Sequence, residues 1–235
     1  SFVYNPYFIA QGSTIFNLEK PDLILIGTDN NKTKRKINNF YNKIYKKKAT
    51  IKNTNFKEGE ISKIAINCYI TTKISFANYI SEISEKANNL DAKVILDVIG
   101  QDKRINHSYM KVGTKFSGPC FPRDNFALIN YSKKLKVNSS IPIATNVINS
   151  LQSSRIIKAL NKITKSNNKF LSLGLFGLTY KSDTNLILDS QCDSLIKEIK
   201  IRNLKFKNIN IYDNFLTKKD ISNYNKKLIL VKNIK

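Results

Sequence analysis

The stretch SGPCFPRDNFAL, residues 117–128, holds the residue types best suited to covalent chemistry in this chain. Cys120 lies between two prolines, and the charged residues Arg123 and Asp124 follow it directly. A cysteine becomes nucleophilic where a positive charge or a helix N-terminus stabilises its thiolate. Pro122 favours the first turn of a helix, so the helix dipole and Arg123 are both expected to favour the Cys120 thiolate. A small buried core cysteine is the alternative interpretation.

A second candidate pair stands earlier in the chain. Lys63 and Asn67 are separated by one helical turn, so the two side chains are neighbours on one face of a helix. A lysine and an amide side by side can stabilise a developing oxyanion. Because lysine and asparagine are abundant throughout the chain, an ordinary solvated surface pair is the alternative.

The elements that must position these residues follow from hydrophobic periodicity. Leu23–Ile26 is typical of a buried strand, and apolar residues recur near a period of 3.6 from Glu60 to about Lys86, which predicts one long helix. The polar tract at 164–169 predicts a domain boundary. Strand, helix and strand follow it, an order that indicates a parallel α/β sheet with ligands beyond the carboxyl ends of the strands. The other expected elements are helices over 30–47, 90–99, 122–136, 142–165 and 189–202, and strands within 47–55 and 170–176 and over 209–213 and 227–231.

Composition limits the classes of protein. The net charge of +23 is consistent with nucleic-acid binding, with binding of anionic small ligands, or with lysine-rich solvated faces. No recognised nucleic-acid-binding motif accompanies the lysines, so a nucleic-acid-binding module is kept only as an alternative. No apolar run reaches eighteen residues, which disfavours a membrane span. The N-terminal residues do not have the pattern of a signal peptide.

The three cysteines, Cys68, Cys120 and Cys192, lie far apart and do not form a disulfide framework. With a single histidine, His107, they do not suggest a zinc site either, so no metal is expected. Reduced cysteines favour a cytoplasmic location.

Taken together, several segments resemble the UDP-glucose/GDP-mannose dehydrogenase family, in order and with matching spacings over nearly the whole chain. GPCFPRDNFAL resembles the cysteine motif of the family, and EISKIAINCYITTKISFANYISEISEK resembles its central helix. IGQDKRI is similar to the segment between them, and NPYFIAQGSTIFNLEKPDLILIG to the segment before the central helix. LGLFGLTYKSDT is similar to the opening of the C-terminal nucleotide-sugar domain.

The resemblance implies NAD-dependent oxidation of the C6 alcohol of a UDP-sugar to a carboxylate, with UDP-glucose as the default substrate. In that chemistry Cys120 attacks the intermediate aldehyde and passes through a thioester, Lys63 and Asn67 stabilise the negative oxygen, and Asp124 helps to activate the hydrolytic water. The implied cofactor-binding residue is Arg123. The implied substrate-binding residues are Phe8, Ile9, Arg104, Tyr109, Lys111, Phe116, Gly118 and Lys181.

The resemblance also implies an architecture. We expect the C-terminal remnant of a Rossmann-like NAD-binding domain over 1–57, a central all-α dimerisation and catalytic region over 58–165, and a partial parallel α/β UDP-sugar-binding domain over 166–235. The long helix is expected to form the core of a homodimer, because its apolar stripe is too long for the flanking helices to cover. No two of the eight glycines are separated by one residue, so a G-x-G-x-x-G loop is absent and most of the NAD domain is expected to be missing. A non-catalytic or split fragment that dimerises or binds nucleotide sugar is therefore a further alternative.

Four departures from the family pattern bear on hydrolysis, sugar identity and cofactor affinity. Tyr7 and Gln11 stand where the family usually has glutamate, and Lys115 and Ser117 stand in a loop that usually reads Gly-Phe-Gly-Gly. Leu188 and Asp189 replace the usual Arg-Glu before a serine, which removes an arginine that contacts the cofactor.

Overall fold

The structure, a computed structural model, describes residues 2–9, 12–46, 49–166, 171–222 and 228–231. Its compact units are Ser1–Asn67 and Cys68–Lys235, and the division between them falls within one long helix. The elements in chain order are α1 (Thr14–Glu19), β1 (Leu23–Gly27), α2 (Asn31–Ile44), β2 (Thr50–Thr54), α3 (Phe56–Lys86), α4 (Ala92–Gln101), α5 (Phe121–Lys134), α6 (Ser140–Ser166), β3 (Leu173–Phe176), α7 (Gln191–Ile201), β4 (Ile209–Tyr212) and β5 (Leu228–Val231).

The first unit contains a strand–helix–strand motif. β1 and β2 are parallel, with Leu23 opposite Thr50 and Gly27 opposite Thr54, and α2 is the crossover between them. β1 is buried almost throughout, as its continuous apolar run predicts. The Asn30 side chain caps α2 by accepting a hydrogen bond from the backbone N–H of Thr33. The predicted strands and helix in this unit are therefore confirmed, and α1 is an additional helix that the periodicity did not reveal.

The long helix α3 begins earlier than the sequence pattern predicted. The Asn55 side chain accepts a hydrogen bond from the backbone N–H of Glu58, and the Glu58 carboxylate accepts one from the backbone N–H of Asn55, both at 2.9 Å. This reciprocal capping box starts the helix at Phe56 rather than Glu60, so the predicted start was wrong. Gly59 lies in the first turns of α3, which pass close to the end of β2. A Cβ at this position would come within 3.1 Å of the Thr54 hydroxyl oxygen, so glycine suits this close approach.

The helical part of the second unit is held by a small apolar cluster and by buried hydroxyl and amide groups. Ala77, Leu96 and Met110 form the apolar cluster. The amide of Asn125 on α5 donates to the Thr71 hydroxyl at 3.0 Å, which joins α5 to α3. On α6, the backbone carbonyl of Thr145 accepts from the Ser75 hydroxyl. Such contacts pair the buried polar groups that take part in them and fix the register of the packed helices.

The C-terminal sheet has three parallel strands in the order β3-β4-β5. Helix α7 covers this sheet through Leu195, Ile196 and Ile199, which pack in one core with Ile211 of the central strand. Ile157 of α6 belongs to the same core. The mixed α/β fold class, with a long central helix and a parallel C-terminal sheet, is confirmed. Helix α6 runs to Ser166, and 167–169 of the predicted boundary tract lie outside the described residues, so the proposed domain limits stay a prediction.

Candidate active site

Cys120 is the N-cap residue of α5, with Pro122 in the first turn. The thiol is exposed, so the alternative of a small buried core cysteine does not hold for this residue. The Cys120 carbonyl accepts the first helical hydrogen bond, from the backbone N–H of Asp124 at 2.9 Å. The sulfur is therefore attached at the positive end of a 14-residue helix, where a negative charge is stabilised.

Asp124 and Arg123 form an ion pair beside this cysteine. The Arg123 guanidinium donates to Oδ1 of Asp124 at 2.9 Å, and the Asp124 side chain is buried while that of Arg123 is largely exposed. The sequence suggested that Arg123 acts on the thiolate directly. The structure instead shows its guanidinium on the neighbouring carboxylate, which reduces the charge it can offer to sulfur.

The other two thiols have surroundings that disfavour ionisation. Burial, and secondly the charge of Asp124, raise the pKa of Cys68 to about 11. Burial, and secondly Asp213, raise the pKa of Cys192. Since the thiolate is the reactive form, both thiols are expected to be inert near neutral pH. Cys120 is the exposed one of the three.

The loop before Cys120 is fixed by side chains that sequence reasoning did not single out. The amide of Asn149 on α6 clamps Phe116, accepting from its backbone N–H at 2.7 Å and donating to its carbonyl at 2.9 Å. Gly118 has a φ of +81°, and a Cβ at this position would lie 2.6 Å from the ring of Tyr180. Burial and the nearby Cys120 raise the pKa of Tyr180. Gly118 is therefore required both by backbone conformation and by the aromatic ring against it.

Lys181 lines a pocket of about 390 Å³ at the carboxyl ends of β3 and β4. The pocket lies at the edge of the sheet where parallel α/β folds bind ligands, as the strand order predicted. Asp213, which follows β4, shapes its floor: its Oδ2 accepts from the backbone N–H groups of Leu178 and Thr179, at 2.9 and 3.2 Å. Ser117 of the cysteine loop lines the same pocket.

The predicted substrate residues between α4 and α5 lie at the surface. Arg104 is exposed and forms a bidentate pair with Asp102, which lowers the pKa of that carboxyl and raises the pKa of the guanidinium. Tyr109, with a φ of +65°, and Lys111 line an open pocket of about 550 Å³ together with His107. Phe116, in contrast, is buried, and Asn149 pairs with both its backbone N–H and its carbonyl.

In the first unit, the structure brings Lys63 onto the segment before α1. The Lys63 ammonium donates to the carbonyl of Tyr7 at 2.8 Å and lies 4.4 Å from the centre of the Phe8 ring. Ile9 is exposed, and Gln11 lies outside the described residues. Lys63 and Asn67 belong to this unit, whereas Cys120 and Asp124 belong to the other.

Sequence reasoning missed Asn149, Tyr180 and Asp213 for different reasons. Asn149 is one of many asparagines in this chain, and nothing in its helical neighbourhood marks it as the clamp of a distant loop. Tyr180 lies beside Lys181 in a segment that had been noted, and its contact with Gly118 requires tertiary structure. Asp213 carried a usable signal, since it is the last residue of a predicted parallel strand and directly follows the observed one.

The described part of the chain supports neither a metal site nor a membrane-spanning helix. Within 2–9, 12–46, 49–166, 171–222 and 228–231, no group of three or more His, Cys, Asp or Glu side chains is placed to hold a metal ion. None of the helices described there is long and apolar enough to cross a membrane.

Known proteins share this fold and sequence pattern. The structure superposes on the UDP-glucose dehydrogenase of Pyrobaculum islandicum with a TM-score of 0.85 over 98% of this chain and 52% of that one, at 24% identity. The fold is thus that of about half of this dehydrogenase. Residues 57–151 match the central domain of the UDP-glucose/GDP-mannose dehydrogenase family, and this part of the chain belongs to that family.

Curated relatives agree with this assignment. The chain is 32% identical over 186 residues to the UDP-glucose 6-dehydrogenase YwqF of Bacillus subtilis, covering 79% of this chain and 41% of the relative. It is 28% identical over 192 residues to the UDP-glucose 6-dehydrogenase of Rickettsia prowazekii, covering 82% of this chain and 44% of the relative. The chain therefore spans about two fifths of the length of these relatives.

Proposed function

We propose that this chain is the cysteine-bearing part of an enzyme that oxidises the C6 alcohol of a UDP-sugar, with UDP-glucose as the default, to a uronate. The observation that carries the proposal is Cys120. It is an exposed thiol at the N-terminus of α5, in a family of nucleotide-sugar dehydrogenases, while the two other thiols have raised pKa values. N-acetylmannosamine- and galactose-type UDP-sugars are the other candidate substrates.

The residues of this chain are assigned the covalent steps. The Cys120 thiolate adds to the aldehyde carbon C6, and the carbonyl electron pair moves to oxygen to give a thiohemiacetal. Lys63 and Asn67 donate hydrogen bonds to that negative oxygen. After C6 has lost a hydride, water assisted by Asp124 attacks the thioester, the C–S bond breaks, and the thiolate leaves as the carboxylate forms. Asp124 is buried and paired with Arg123, so this role requires the carboxylate to keep an acceptor position for water.

NAD, the acceptor implied by the family, would accept one hydride from C6 in each of two oxidations. Conversion of the alcohol to the carboxylate also consumes one water and releases three protons. The residues present do not supply its pyrophosphate loop, because no two of the eight glycines are separated by one residue. We therefore propose that this loop comes from outside the 235 residues. Arg123, paired here with Asp124, is the residue assigned to the cofactor side.

Substrate binding is assigned to three groups of residues. Lys181 contributes a cation at the carboxyl edge of the C-terminal sheet, where a phosphate group would be attracted. Arg104, Tyr109 and Lys111 contribute an exposed cationic surface, with Arg104 proposed to reach across a dimer. The last group consists of Phe116 and Gly118, which shape the buried part of the cysteine loop, together with Phe8 and Ile9.

We further propose a homodimer through α3. An apolar stripe on this helix is exposed: between 39% and 66% of the surface is accessible at Tyr69, Phe76, Tyr79 and Ile83. Monomeric proteins rarely expose a continuous apolar stripe of this kind. An isologous two-fold contact would bury this stripe. Sedimentation should give a dimer at micromolar concentration, and Phe76→Glu should give a monomer. A stable monomer of the unaltered chain would contradict the dimer.

The covalent role of Cys120 can be tested without NAD, because addition of a thiolate to an aldehyde needs no oxidant. Iodoacetamide labelling followed by peptide mapping should modify Cys120 first. The C6 aldehyde of UDP-glucose should protect Cys120 more strongly than UDP-glucose itself, since the aldehyde forms a covalent adduct. Lys63→Ala should slow the labelling and weaken the protection.

Controls separate this proposal from the alternatives. GDP-mannose at the same concentration reports nucleotide selectivity, and a salt titration against DNA reports nucleic-acid binding through its steep slope. If Cys68 or Cys192 is labelled first in the folded chain, Cys120 is not the nucleophile. The chain alone should reduce little or no NAD, and robust NADH formation would contradict the assignment of the dinucleotide loop to another segment.

A further inference from the structure

The loop that carries the cysteine is tied to the start of α7 by a partly buried ion pair. The Lys115 ammonium donates to Oδ1 of Asp189 at 2.6 Å. The Lys115 side chain is only 9% exposed, whereas that of Asp189 is 47% exposed. Fixing a long lysine side chain in this way costs rotamer entropy. Because the Lys115 side of the pair is removed from water, its attraction to Asp189 is screened less than in a surface pair, and the pair constrains the loop more.

Three further contacts hold Lys115, Phe116 and Gly118 of the same loop. The backbone N–H of Lys115 donates to Oε1 of Gln191 at 3.0 Å. Asn149 clamps the backbone of Phe116 on both sides, and the Tyr180 ring lies against Gly118. Four contacts within four residues leave the loop little freedom just before the cysteine.

Asp189 is itself held in an unusual conformation. Its φ is +55°, in the left-handed region, and the next residue is Ser190, the N-cap of α7. Aspartate and asparagine tolerate this region better than most residues. The pairing carboxylate is thus fixed at a tight turn that opens a helix, which makes it a rigid anchor for Lys115.

We propose that Lys115 and Asp189 are positioning residues for Cys120, and that their ion pair latches the 115–118 loop so that the thiol stays at the N-terminus of α5. This inference rests on the proposed role of Cys120 as nucleophile. The latch joins the cysteine loop to the C-terminal sheet layer, because α7 packs on that sheet. A thiolate held at a helix N-terminus is stabilised, and loosening the loop removes part of that stabilisation.

The experiment compares two variants whose charge effects are opposite. Lys115→Met removes a positive charge and keeps the length of the side chain, while Asp189→Asn removes a negative charge and keeps a residue suited to a positive φ. If the pair acts as a latch, both variants should slow the alkylation of Cys120 at neutral pH, by roughly two- to fivefold. If the two charges act only through space, Lys115→Met should slow the alkylation and Asp189→Asn should accelerate it. Opposite changes in rate would overturn the latch.

Matched controls keep the test specific. Lys115→Arg should retain the ion pair and stay close to the unaltered chain. Lys86→Met breaks the Glu82–Lys86 pair, which has the same 2.6 Å separation but an exposed lysine, and it should leave the alkylation rate unchanged. Equal changes in rate in Lys86→Met and Lys115→Met would show a general effect of charge and overturn the proposal.

A second measurement reports the latch independently of cysteine chemistry. Amide hydrogen exchange of residues 115–118 should accelerate in Lys115→Met and Asp189→Asn, and stay unchanged in Lys86→Met. Unchanged exchange in the first two variants would overturn the latch even if Cys120 is the nucleophile. Accelerated exchange would support the latch even if another thiol labels first, and the failure would then lie with the proposed function.

Discussion

Helices α5 and α7 both begin beside a cysteine, yet the two helix starts differ in what surrounds the sulfur. At α5, Cys120 is itself the N-cap, is exposed, and makes no side-chain capping hydrogen bond within the described residues. At α7, the cap is Ser190, whose hydroxyl accepts from the backbone N–H of Asp193, and Cys192 is the second residue of the helix, with a raised pKa. A helix N-terminus alone therefore does not activate a thiol. Exposure distinguishes the two thiols, and we expect it to decide which cysteine is reactive.

The largest expected effect is the difference in alkylation rate between the exposed and buried thiols. A rise in the pKa of Cys68 from 9.0 to about 11 lowers its thiolate fraction at neutral pH roughly 100-fold, before restricted access is counted. Its rate should increase about tenfold for each unit of pH until the pH approaches 11, because the thiolate fraction does. Rate measurements from pH 6 to 10 with peptide mapping would check this. If Cys68 is alkylated as fast as Cys120 at neutral pH, the expected difference between the buried and the exposed thiol is contradicted.

Two glycines offer a matched test of the packing against the cysteine loop. Gly118 and Gly177 have φ values of +81° and +84°, but an added Cβ would lie 2.6 Å from the Tyr180 ring at Gly118 and has no described atom within 4 Å at Gly177. Gly177→Ala should cost about 1–2 kcal/mol from backbone strain alone. Gly118→Ala should cost a further ~1–3 kcal/mol from overpacking. Denaturant unfolding would measure both changes.

A double variant identifies the source of that difference. In a chain that already carries Tyr180→Ala, Gly118→Ala should lower the free energy of unfolding only by the amount that backbone strain accounts for. This amount is obtained by comparing the double variant with Tyr180→Ala alone. If the cost of Gly118→Ala does not exceed that of Gly177→Ala, the contact with the ring does not constrain the loop.

A smaller effect is expected at the start of α7. Ser190→Ala removes the hydroxyl that caps the backbone N–H of Asp193, and it should lower the free energy of unfolding by about 1 kcal/mol. Alkylation of Cys120 should change little, because the substitution leaves the Lys115–Asp189 ion pair in place. A large fall in Cys120 reactivity would show that the two helix starts are coupled more tightly than their local contacts indicate.

The smallest effect is expected from Arg123. Since its guanidinium is paired with Asp124 and largely exposed, Arg123→Gln should change the rate of Cys120 alkylation by less than about fivefold. The sequence alone suggested a stronger influence of this charge. A fall in rate well beyond fivefold, measured at neutral pH and low salt, would restore the direct role that the sequence suggested.

The sequence by itself determined most of the secondary structure and the candidate nucleophile. Local signals were sufficient for these features: the continuous apolar run of β1, the helical periodicity of α3, and a proline two residues after Cys120 in the first turn of α5. The start of α3 was misplaced because its capping box lies outside the apolar stripe and Gly59 suggested a break.

Only the tertiary structure decided what surrounds those residues. It placed Arg123 on Asp124, the ring of Tyr180 on Gly118, and Lys115 on Asp189, each a contact that depends on side-chain direction or on partners far apart in the chain. Periodicity reports which face of an element is apolar, but it does not report which distant polar group that face will meet. The sequence therefore determined where a reactive thiol can lie, and long-range packing decided which groups hold its loop.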